Sequence, residues 1–156
     1  MDLEIDVNVG LKTGVIHNIS VLVKYCVKSG VDIHCDEDAP LRHASYHNYH
    51  DIMVILVSGG ANIYIRDCQP AIMCCYNNNP IMAELLLDMG SNIDIYKEDI
   101  LYDSVRKNYY DMIIFLLKHF QYDVNSIIGA IKIAKSLICC ERRIIRLLEI
   151  YYFNLV

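Results

Sequence analysis

The stretch that decides the fold is Pro40-Leu41-Arg42-His43-Ala44-Ser45-Tyr46-His47-Asn48-Tyr49-His50-Asp51-Ile52-Met53-Val54-Ile55-Leu56-Val57-Ser58-Gly59-Gly60-Ala61-Asn62-Ile63. It contains two helical segments and two stops. Proline at a first helical position costs nothing, because the N–H it lacks has no partner there anyway. Leu41, Ala44 and Ser45 then make a short helix with a small-residue face. Asn48 ends it. Asparagine accepts the left-handed backbone at a helix C-terminus, where other L-residues lose about 1–2 kcal/mol. The second helix, Asp51 to about Ser58, carries Ile52, Met53, Ile55, Leu56 and Val57 as a broad apolar stripe at helical spacing. Asp51 in its first turn suits the helix dipole. Gly60 closes it as a left-handed cap.

Outward from this stretch the chain repeats itself. Asn18, Asn48, Asn78 and Asn108 fall 30 residues apart, and Gly30, Gly60 and Gly90 keep the same interval. Apolar rows hold the register: Leu22, Ile52, Met82, Met112; then Cys26, Leu56, Leu86, Leu116; then Val27, Val57, Leu87, Leu117. Pro70 repeats Pro40, and at the next copy Asp99 is expected to cap the helix that Ile100 opens. A fixed period of this size is the mark of stacked repeats, each with an apolar face that only a neighbour can bury. The sequence therefore predicts an all-α solenoid of helix-turn-helix units in one domain, 1–156. Its units are a degenerate 1–30, then 31–60, 61–90, 91–120 and a C-terminal 121–156. Second helices are expected at Ile19–Ser29, Asp51–Ser58, Pro80–Met89, Asp111–Lys118 and Glu141–Tyr152. The connection Asn62–Gln69 is too short for a helix and reads as an extended segment and a turn. Phe120 stands where three glycines stood before, so its cap should differ.

The chain has 156 residues and a net charge of −5. An acidic chain lacks the basic stripe that phosphate neutralisation needs, which argues against nucleic acid as partner. No apolar run approaches the roughly 18 residues of a membrane span. The acidic start Met1-Asp2-Leu3-Glu4 does not resemble a secretory signal. Seven cysteines, an odd number with two vicinal pairs (Cys74-Cys75 and Cys139-Cys140) that rarely bridge on a helix, fit a reducing compartment, cytoplasm or nucleus. Cys26, Cys74, Cys75, Cys139 and Cys140 are expected on helices as small buried hydrophobes. Ile144 to Val156 is apolar to its end, and Tyr151 to Val156 is expected to be partly exposed or self-associating.

Pro40-Leu41-Arg42 with Ala44-Ser45, then Asn48, Ile52 to Val57 and Gly59-Gly60-Ala61-Asn62 resembles the ankyrin repeat, with Arg42 replacing its usual histidine and Asn48 its usual glycine. The period is shorter than the family's ~33 residues. Units of 30 residues are similar to those in ankyrin proteins of giant DNA viruses. The resemblance implies a non-enzymatic protein-protein interaction scaffold without cofactor, inside a cell, an infected host cell included. An alternative is a viral host-modulating adaptor, for example recruiting a ubiquitin ligase. A metal-binding protein or cysteine-dependent enzyme stands further off.

In that family partners meet the hairpin tips and the exposed ends of the first helices. Carried over here, these are Glu37, Tyr64, Arg66, Tyr96 and Lys97, and then Tyr46, His47, Tyr76, Asn77, Arg106 and Lys107. Tyrosine and arginine make good anchors, burying large area at small entropic loss. Leu117 with Asp123-Val124-Asn125 resembles the setting of ankyrin asparagines that a hydroxylase modifies, which marks Asn125. His43 and His47 have i, i+4 spacing, but no Cys-x-x-Cys accompanies them, so no metal site is assigned. No base, orienting group and oxyanion donors are specified around any cysteine, so no catalytic residue is assigned.

Overall fold

The computed structural model describes residues 6–156. The acidic start Met1 to Glu4 lies outside them. Among the described residues there are ten α-helices, one short 3-10 turn and no strand. The fold class is all-α, as the apolar spacing predicts.

The chain divides into two compact units. The first comprises the chain up to Asn77 together with Met82–Asn92. It holds α1 (Val7–Ile16), α2 (Ser20–Lys28), α3 (Cys35–Tyr46), α4 (His50–Ser58), α5 (Ile65–Tyr76) and most of α6 (Pro80–Asp88). Here α1 packs on α2, α3 on α4, and neighbouring hairpins meet through α1 with α3, α3 with α5 and α2 with α4. The second unit comprises Asn78–Ile81 and Ile93–Val156. After the 3-10 turn Asp94–Tyr96 it holds α7 (Lys97–Arg106), α8 (Tyr110–His119), α9 (Val124–Ser136) and α10 (Arg142–Leu155). Here α7 packs on α8 and α9, and α10 on α9 and α8.

The helix stops work as the residue types require. Asn18, Asn48, Asn78 and Asn108 have φ of 55, 60, 55 and 58°. Gly30, Gly60 and Gly90 have φ of 77, 97 and 102°. Phe120 is extended (φ −123°, ψ 146°), so the fourth second-helix ends without a left-handed residue. A bulky side chain is thereby spared the clash of that region.

The rows read from the sequence differ in depth. Cys26, Leu56, Leu86 and Leu116 are wholly buried, whereas Val27, Val57, Leu87 and Leu117 are half-buried. Val23, Met53, Ala83 and Ile113 form another wholly buried row at the same interval. Burying one such large side chain completely is worth about 1.5–3 kcal/mol.

Three expectations need correction. Asn62–Gln69 is not extended: Arg66, Asp67 and Cys68 wind left-handed within the first turn of α5. Asp99 does not cap its helix, because α7 already begins at Lys97, behind Tyr96. Cys139 and Cys140 lie in the loop between α9 and α10, one exposed and one half-buried. Helix α1 is capped by Asp6, whose carboxylate accepts from the Asn8 and Val9 amides at 2.9 and 3.4 Å.

Candidate functional site

Within the first unit, exposed side chains converge on the two left-handed turns and the C-terminal end of α3. Asp36, Glu37 and Asp38 have φ of 53, 58 and 51°, and Arg66, Asp67 and Cys68 have 48, 55 and 62°. Three consecutive left-handed L-residues are costly, and named contacts offset the cost. Arg42 donates from Nε to the Glu37 carbonyl and from Nη2 to the Asp36 carbonyl, both at 2.9 Å. The buried Asp38 carboxylate accepts from the Asn62 amide at 2.8 Å and meets His34 Nδ1 at 3.0 Å. One repeat on, Cys68 Sγ replaces that carboxylate and accepts from the Asn92 amide at 3.4 Å. Each turn is thus pinned to the segment 24 residues ahead.

Charges link the turn tips. Lys12 Nζ lies 3.3 Å from Asp36, and Arg66 donates from Nη2 and Nε to one Glu37 oxygen at 2.6 and 3.0 Å. The Arg66 hydrogen bond, and then its charge, holds the Glu37 carboxyl below its ordinary range. Both side chains are more than half exposed, so the pair orients the tips more than it stabilises them.

At the end of α3 four rings gather. His43 and His47 centroids are 4.3 Å apart, Tyr46 meets His47 edge-on at 5.0 Å, and Tyr49 stacks on His47 at 5.4 Å. Tyr46 is 65% exposed. The Nδ1 atom of His43 is buried with no hydrogen-bond partner. Burial, and then the neighbouring His47, lowers the pKa of His43. Beside this cluster a groove of about 210 Å³ runs between α1 and α3, with Val15, Ile16, Ala39 and Pro40 as its apolar lining and Lys12, Asp36 and His43 at its edge.

The sequence-predicted positions separate into three groups. Glu37, Arg66, Tyr46 and His47 belong to the exposed surface of the first unit. Tyr64, Asn77, Lys97 and Lys107 are engaged within the fold. Tyr64 donates to the Met89 carbonyl at 3.0 Å, and Asn77 Nδ2 donates to the Ser45 and Tyr46 carbonyls at 3.1 and 2.7 Å. Lys97 pairs with Asp94 at 2.9 Å, and Lys107 with Asp103 at 2.8 Å. Tyr76 and Tyr96 are half-buried, and Arg106 is exposed on the second unit. Asn125 is exposed in the first turn of α9. The Asp123 carboxylate caps that turn, accepting from the Ser126 amide at 2.7 Å.

Sequence reasoning missed Lys12 and the α1–α3 groove. The first repeat, 1–30, lacks the proline signature, so nothing marked α1 as a wall of the surface. Cys74 and Cys75 are buried; desolvation pushes the Cys74 thiol up to about 12 and raises Cys75 as well. No cluster of His, Cys, Asp and Glu suited to a metal ion occurs among the described residues. No described helix is long and apolar enough to cross a membrane. No family model matches this chain, and a search of curated proteins finds no match either.

Proposed function

We propose that this chain is a non-enzymatic protein-binding scaffold of ankyrin-like hairpins, and that a protein partner meets the first unit at Tyr46, His47 and the turn tips. One observation carries this reading. Residues 31–40 and 61–70 have the same sequence of buried and exposed positions, place by place. The exposed members nevertheless change: His34 becomes Tyr64, Asp36 becomes Arg66, and Glu37 becomes Asp67. A constant frame carrying variable exposed side chains is how a recognition surface is built. Stacked repeats do their work by such differential affinity, with no reaction of their own. Tyr46 supplies the aromatic anchor such surfaces favour.

Affinity capture from cell extract with the wild-type chain and a Tyr46→Ala/His47→Ala variant tests the reading. The variant should lose a partner that the wild type retains, while its circular dichroism is unchanged. A variant that keeps every captured protein refutes this face. Arg106→Glu tests the exposed end of α7 separately.

A further inference from the structure

We propose that the exposed side of α10, with the loop before it, is a docking surface for an anionic lipid leaflet. It lies in the second unit and does not depend on the protein-binding reading above. Ile144 and Leu148 are wholly buried and define the inward side of α10. Arg142, Arg146, Ile150 and Phe153 follow one another at intervals of four, four and three on the opposite side. At 3.6 residues per turn these four fall within an arc of about 80°. All are exposed, Ile150 at 61% and Phe153 at 74%. In the preceding loop Ile138 is fully exposed.

The charges decide what this surface fits. From 121 to 156 the chain has five Lys and Arg against three Asp and Glu, in a molecule whose net charge is −5. Glu149 is taken by Lys135 at 2.7 Å. Glu141 is taken by Arg143, whose guanidinium also lies 4.1 Å from the Tyr110 ring centre. Among the described residues Lys132, Arg142 and Arg146 have no carboxylate partner. Unpaired cations thus stand beside protruding apolar side chains. A second copy of this face would set those cations against themselves, with the local carboxylates already engaged. An anionic leaflet satisfies both features: headgroup charges meet Arg142 and Arg146 while Ile150 and Phe153 enter the acyl boundary. The helix, about 21 Å long, lies in the plane of the surface. Each basic side chain at such a surface raises partitioning about fivefold.

Co-sedimentation of the full chain with vesicles of phosphatidylcholine alone, or with roughly a third phosphatidylserine, provides the test. The chain contains no tryptophan, so Phe153→Trp introduces a single fluorescent reporter. Expected results are pelleting with the anionic vesicles only and, in the Phe153→Trp variant, a blue-shifted indole emission. Arg142→Glu/Arg146→Glu should cut partitioning by at least about twentyfold with circular dichroism unchanged. Absence of pelleting and of a blue shift overturns the proposal, as does pelleting that the double variant leaves intact. Light scattering that shows a lipid-free dimer, abolished by the double variant, also overturns it and assigns the face to a second copy.

Discussion

Asn18 and Asn108 share a backbone conformation and differ in what their side chains do, which allows the two roles to be weighed separately. Both sit just past a first helix, with φ of 55 and 58°. No hydrogen bond to the Asn18 side chain exists among the described residues. Asn108 bridges a loop: its Nδ2 donates to the Cys139 carbonyl at 3.3 Å, and its Oδ1 accepts from the Glu141 amide at 3.1 Å. Glycine relieves the left-handed backbone but frees the unfolded chain, so Asn18→Gly should change stability by less than about 0.5 kcal/mol. Asn18→Ala keeps a Cβ in the left-handed region and should cost about 1 kcal/mol. Asn108→Gly loses two hydrogen bonds worth about 0.5–1.5 kcal/mol each, giving a net loss of about 1–2 kcal/mol. Urea unfolding followed by circular dichroism reads these differences directly. In thermal melts each kcal/mol corresponds to about 2–4 °C. Equal stability of the glycine variants would refute the bridging role of Asn108. An Asn18→Ala variant as stable as Asn18→Gly would remove the backbone argument for the whole asparagine row.

Asp38→Ala removes the acceptor of the Asn62 amide and should destabilise by about 1–3 kcal/mol, measured by chemical unfolding. His43 has its folded pKa lowered by burial and by His47, so the folded state binds protons less readily than the unfolded chain. Its contribution is therefore intact above about pH 6.5 and is lost as pH falls below that value; the melting temperature should drop from pH 7 to pH 5.5, and less so in His43→Leu. Cys139, exposed in its loop, should react first with a thiol reagent in the native protein, whereas Cys74 and Cys75 should react only on unfolding. Leu56, wholly buried, should cost about 3–5 kcal/mol as Leu56→Ala by the same unfolding assay.

The hairpin plan was legible because it depends on local chemistry. The second helices expected at Ile19–Ser29, Asp51–Ser58, Pro80–Met89 and Asp111–Lys118 lie within two residues of α2, α4, α6 and α8 at either end. Their stops follow from φ preferences that belong to Asn and Gly individually. Candidate site residues were less legible. Tyr46 and Arg106 are exposed as expected, yet Asn77 and Tyr64 reach carbonyls 31 and 25 residues away, and spacing within one repeat says nothing about such reach.

The second helices α2, α4, α6 and α8 and the apolar rows were settled by the sequence alone, since each depends on residues within one or two turns of one another. Only the tertiary structure decided that Asp36–Asp38 and Arg66–Cys68 wind left-handed. That conformation opposes the residues' own preference, and it stands because Arg42, the Asn62 amide and the Asn92 amide hold it from a distance. The same is true of the α10 surface: charge and apolarity are written along the chain, but which cations stay unpaired depends on which carboxylates folding brings within reach.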